Sequence, residues 1–183
     1  LGGERSGVPD DDELARWRDR AAAAGARTDV LDRLGGGHTG LAAVVERGDG
    51  PVVAVRVDID ALPITEAEGD DHAPAAGGYR SETEGYMHAC GHDAHAAVGV
   101  GVIDAVLASE FAGTLKVFFQ PGEEVVVGGR PVSESGHLVD VGDLFAPPRG
   151  LAPPTGQVGA GAGGFLPVED HACPWFCRSP PAR

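Results

Sequence analysis

Within positions 88–95 the chain sets three histidines, His88, His92 and His95, beside a thiol, Cys90, and a carboxylate, Asp93. Thiolate and imidazole are soft and borderline donors, and a group of them grips a divalent metal of the zinc type. If the chain runs extended up to His92, Cys90 and His92 point the same way by the strand period of two. Once a helix has begun, His92 and His95 share a face. The start of that helix also favours the thiolate over the thiol. A helix cap with solvated histidines is the plain alternative, and the density of the cluster argues against it.

A second cluster, Gln120-Pro121-Gly122-Glu123-Glu124, follows an apolar run, which is where open α/β sheets place their ligands. Adjacent carboxylates do not easily face one metal together. A division of labour is natural, one binding the ion and the other accepting a proton from a water the ion activates. Asp58-Ile59-Asp60 forms a third group, whose spacing puts both carboxylates on one face of a strand end. Alone, an acidic pair on a turn or a strand end is ordinarily solvated; beside the histidine cluster it gains a use.

These side chains need elements to hold them. Residues 1–12 read as a disordered start with an N-cap at the acidic run 10–12, and 13–24 as a helix ended by Gly25. Residues 28–31, 41–46 and 52–58 read as strands, the last two as a hairpin, and 63–86 as a long loop. From 92 to 110, His95, Val98, Val102, Ile103, Val106 and Leu107 recur at helical spacing, with Asp93 in the first turn. Val98, Val102, Ile103 and Val106 are expected to pack on the apolar strand 114–119, and a short helix is expected over 131–135 before Gly136. This order of elements argues an α/β sandwich built on a mixed sheet.

The 183 residues are 42% hydrophobic, enough for one domain, and the net charge of −14 disfavours nucleic acid and anionic membrane surfaces as partners. With no apolar run of spanning length and a polar, acidic beginning, the expected location is cytoplasmic. Three cysteines, Cys90, Cys173 and Cys177, are too few and odd in number for a disulfide framework. After Phe145, prolines and a Gly/Ala tract leave little room for regular structure, and 167–183 reads as a disordered tail. Two motifs there are set aside. Gly159, Gly161 and Gly164 mimic a dinucleotide loop without the strand and helix it needs, and His171, Cys173 and Cys177 make a weak metal knuckle.

Three stretches, 57–64, 87–95 and 119–124, resemble in order and spacing the metal-dependent amidohydrolases of the aminoacylase/carboxypeptidase type. Within that family they are most similar to the hippurate, N-acyl-amino-acid, indole-acetyl-amino-acid and aminobenzoyl-glutamate hydrolases. The resemblance covers about 28–165. It implies the N-terminal part of a zinc-peptidase-like catalytic domain, over 13–166, and a small N-acyl amino acid as substrate. It further implies a dinuclear zinc or manganese centre, with Cys90, His92 and Glu124 at ligand positions and Glu123 at that of the general base. Asp58, Asp60, His88 and His95 fall to supporting roles.

The chain also departs from the family pattern. Pro148 stands where another metal-binding histidine is expected, and the family's last histidine ligand and inserted dimerisation domain have no counterpart in the 183 residues. The expectation is therefore a truncated or frame-disrupted member of undetermined oligomeric state. It would bind at most one ion and hydrolyse N-acyl amino acids far more slowly than a full-length relative. A non-catalytic metal-binding or interaction protein derived from such a hydrolase is the alternative.

Overall fold

The computed structural model describes residues 8–146 and the backbone of 176–178. Helix α1 (Asp11–Ala23) starts where Asp10 Oδ1 accepts the Glu13 N–H at 2.8 Å, with acidic residues filling its first turn. The helix thus begins two residues inside the stretch expected to be frayed. Residues 28–31, expected as a strand, instead lie in helix α2 (Thr28–Arg33). Val30 and Leu31, with Leu34 at its C-terminal cap, are half-buried, a spacing that serves a helix packing on α1, and the Thr and Val propensities yield to that packing.

The sheet comprises β1 (Leu41–Glu46), β2 (Val52–Asp58), β3 (Thr114–Gln120), β4 (Asp143–Phe145) and β5 (Phe176–Arg178) in the order β1-β3-β2-β4-β5. β1 and β5 run antiparallel to their neighbours, while β2 is parallel to both β3 and β4, so the sheet is mixed. The expected β1–β2 hairpin does not form, because β3 inserts between them. The sequence Val-Val-Ala-Val at the start of β2 carries the reason: a nearly unbroken apolar run suits a parallel strand covered on both faces, where a hairpin strand would alternate. β5 lies inside the segment read as structureless; the decoy glycines, His171, Cys173 and Pro148 lie outside the described residues.

Between β2 and β3 the chain crosses through helix α4 (His92–Ala108), the helix a parallel pair requires. On one face of the sheet, Val55, Val57, Leu115 and Val117 pack with Val102, Ile103 and Val106 of α4. On the other, Ala54 and Phe118 meet Val132 of α5 (Gly129–Glu134) and Val141. Each such side chain, when fully buried, contributes on the order of 1.5–3 kcal/mol. Of the four residues expected to pack on the strand, Val98 is misplaced at 49% exposed, and Leu107, which shares the periodicity, is 51% exposed. The seam runs through His92, His95 and Gly99, all buried. At Gly99 a Cβ would stand 2.9 Å from Phe119 and 3.0 Å from Val57, so the missing side chain lets helix and sheet approach closely.

The segment between β2 and α4 contains one short helix, α3 (Ala73–Ala76), and is closed at its base by paired hydrogen bonds between the Leu62 and Met87 backbones. Buried Glu66 staples its interior, with Oε1 2.8 Å from His72 Nε2 and Oε2 accepting the Ser81 N–H at 2.6 Å. The Arg80 guanidinium donates to the Glu66 carbonyl at 2.8 Å. This closure sets Leu62 beside Met87, three residues before Cys90. Among the described residues no helix is long and apolar enough to cross a membrane.

Candidate metal centre

The site forms at the C-terminal ends of the parallel strands β2 and β3, against the start of α4. Residues 88–91 are a turn, not the extended chain expected, with the Gly91 N–H bonded to the His88 carbonyl at 2.9 Å. Gly91 adopts φ 73°, a left-handed conformation that only glycine takes freely, and this bend swings Cys90 toward the first residue of α4. A second left-handed glycine, Gly122 at φ 75°, turns the chain after β3 and presents Glu123 and Glu124.

Sulfur, imidazole nitrogen and carboxylate oxygen of Cys90, His92 and Glu124 lie within 4.8 Å of one another. His92 is buried, and its Nδ1 sits 3.0 Å from the Asp60 carbonyl oxygen and 3.1 Å from Asp60 Oδ1. That contact assigns the proton to Nδ1 and leaves the Nε2 lone pair for a ligand bond. Nε2 faces Glu123 Oε2 at 3.7 Å and Glu124 Oε1 at 3.9 Å. Asp60 Oδ2 accepts the Glu124 N–H at 3.0 Å, so one carboxylate ties the His92 ring to the Glu124 segment.

Buried Asp58 reaches His95 instead, with Oδ2 3.4 Å from Nδ1, and the His95 ring stacks on His92 at 5.4 Å between centroids. The two aspartates therefore serve two histidines. β2 ends at Asp58, so the strand alternation invoked for the pair does not extend to Asp60. His88 is exposed and lies outside both convergent groups of donors, Cys90 with His92 and Glu124, and Asp58 with His92 and His95. One charged member went unread in the sequence: Arg56, ion-paired to Asp58 Oδ1. Its signal was a lone cation in an apolar strand, two residues before a carboxylate.

The electrostatics are those of a cation site. Burial, reinforced by the charges of Asp58 and Glu124, raises the Glu123 carboxyl above the ordinary glutamate range. Burial likewise raises Asp58 against the opposing pull of Arg56, His92 and His95, and lowers His95. Glu124 Oε1 is buried with no hydrogen-bond partner. Such an oxygen is costly unless something supplies positive charge. A divalent ion would do so, and the S, N, O donor set fits one.

Comparison with known proteins covers the same stretch. The model of peptidase family M20/M25/M40 matches residues 54–163. The chain is 38% identical over 165 residues to indole-3-acetyl-aspartic acid hydrolase of Enterobacter agglomerans, covering 88% of this chain and 38% of that protein. It is 39% identical over 136 residues to N-acetylcysteine deacetylase of Bacillus subtilis (strain 168), covering 73% of this chain and 34% of that one. The crystal structure of aminobenzoyl-glutamate utilization protein from Klebsiella pneumoniae superposes with a TM-score of 0.54 at 30% identity, over 78% of this chain and 30% of that one. The chain thus spans little more than a third of the length of these curated relatives. Family match, identity and structural superposition agree: the chain belongs to peptidase family M20/M25/M40.

Proposed function

We propose that this chain carries the metal-binding and proton-transfer part of an amidohydrolase that cleaves the amide bond of N-acyl amino acids. The observation that carries the reading is the convergence of the Cys90, His92 and Glu124 donors within 4.8 Å. The names of the relatives, a hydrolase and a deacetylase of acylated amino acids, support the substrate class. These three residues would hold one divalent ion, zinc or manganese, with the thiolate favouring zinc. When bound, the ion acidifies water and polarises the amide carbonyl.

The chain's own residues do the rest. Asp60 orients His92 and fixes the Glu124 backbone. Glu123, beside His92 Nε2 and held at a raised proton affinity, accepts the proton of the attacking water and returns it to the departing amine. A thiolate ligand also suits a reducing compartment, in keeping with a cytoplasmic location.

Metal analysis combined with hydrolysis of a panel of N-acyl amino acids tests this. The expected result is one zinc or manganese per chain and turnover well below that of a full-length relative. Glu123→Gln should lower that turnover about 10²–10⁴-fold with the metal retained. Metal binding without any turnover would favour the non-catalytic alternative.

A further inference from the structure

We propose that Arg56 is a positioning residue that acts through Asp58 and His95 to fix the imidazole of His92. Its consequence for an ion rests on the metal-centre reading above; the positioning of the rings does not.

Arg56 stands within β2, its side chain 17% exposed and ion-paired to an Asp58 side chain that is 4% exposed. A cation in the middle of an apolar strand is expensive, and a buried pair returns little net stability compared with apolar residues of the same volume. What such a pair does supply is geometry. The guanidinium holds one carboxylate oxygen as an ion pair, which leaves the other, Oδ2, 3.4 Å from His95 Nδ1. His95 lies one helical turn beyond His92, and its ring stacks on His92 at an interplanar angle of 21°.

The His92 ring is therefore held at two places. Asp60 takes its Nδ1 edge, and His95 covers a face. The Asp60 contact alone leaves the ring free to tilt about that edge. A continuous line of contacts, guanidinium to carboxylate to imidazole to imidazole, removes this freedom. Asp58 has no such hold without Arg56, since beside that ion pair its Oδ1 makes no hydrogen bond among the described residues and its neighbour Asp60 carries the same charge.

The test compares two paired replacements. Arg56→Met/Asp58→Asn removes both charges at near-constant volume, so neither is left buried and uncompensated. Lys116→Met/Asp140→Asn does the same to another pair, in which Lys116 of β3 binds Asp140 and the His137 carbonyl. Long-range ¹H–¹⁵N NMR on the metal-free chain reads the imidazoles, and titration with Co(II) reads affinity.

In the unaltered chain His92 and His95 should each show a single tautomer, protonated at Nδ1. Arg56→Met/Asp58→Asn should give mixed tautomers at His95 and weaken the Co(II) Kd about 10–100-fold, while Lys116→Met/Asp140→Asn should match the unaltered chain in both. If the first double variant does not fold by circular dichroism, Arg56→Lys replaces it. Keeping the charge but losing the planar guanidinium, it should weaken Co(II) binding about threefold. Unchanged imidazole signals and Co(II) affinity within about twofold, in whichever of these variants folds, would overturn the proposal, as would an equal loss in the Lys116/Asp140 control. Fixed tautomers without Co(II) binding by the unaltered chain would instead overturn the metal-centre reading.

Discussion

Asp60 joins the two halves of the site through two bonds, one from its backbone and one from its side chain. Its carbonyl receives His92 Nδ1 and its Oδ2 receives the Glu124 N–H. Asp60→Asn keeps the shape but removes the charge that makes the second bond strong, and should weaken zinc binding by about 10–100-fold, measured by competition with a chelating dye. Glu66 works away from the candidate site. Its hydrogen bond with His72, followed by that from the Ser81 N–H, lowers its carboxyl below the ordinary glutamate value. A carboxyl depressed by folding contributes stability that is fully present above the unfolded-state value and is lost as pH falls through the folded one. Urea midpoints should therefore drop on acidification below the ordinary glutamate range, and Glu66→Gln should flatten that drop. That Cys90, His92, Glu123 and Glu124 gather at one place was legible because their types and spacing are rare outside metal chemistry. Arg56 was not, because its role depends on which side chains a fold brings around a strand end, and no local spacing encodes that.

At the scale of elements, α4 shows what periodicity can and cannot tell. The helix was legible throughout, since its apolar residues and its acidic first turn agree. Its buried seam was not, because a glycine marks the point of closest approach and carries no hydrophobic signal. Gly99 and Gly101 make the contrast measurable. At Gly101 a Cβ meets nothing within 4 Å, so Gly101→Ala should stabilise by roughly 0.5–1 kcal/mol through helix propensity alone. At Gly99 the new methyl collides with Phe119 and the fully buried Val57. Overpacking there exceeds the propensity gain, and Gly99→Ala should end about 1 kcal/mol less stable, both read from denaturant unfolding. The absent hairpin teaches the same lesson for strands. Adjacent strands in sequence suggest pairing, yet β2 is apolar on both faces, and a strand with two faces to cover is better placed inside a parallel set with β3 and β4 beside it.

For the whole molecule, the excess of acid and the sheet topology point the same way. A net charge of −14 repels anionic polymers and gathers cations, and the crossover through α4 delivers three motifs, distant in sequence, to one end of the sheet. Asp58 and Asp60 leave β2, Cys90 and His92 enter α4, and Glu123 and Glu124 leave β3. The chain spans little more than a third of its curated relatives' length. The central claim is narrower and can be met directly: these motifs make one metal position. Titrating the purified, reduced chain with Co(II) while recording its absorption tests it. The account predicts saturation at one equivalent with a sulfur-to-cobalt charge-transfer band, the band vanishing in Cys90→Ser and the affinity collapsing in His92→Ala and Glu124→Gln. Co(II) binding without a thiolate band, or binding that survives all three replacements, would contradict it.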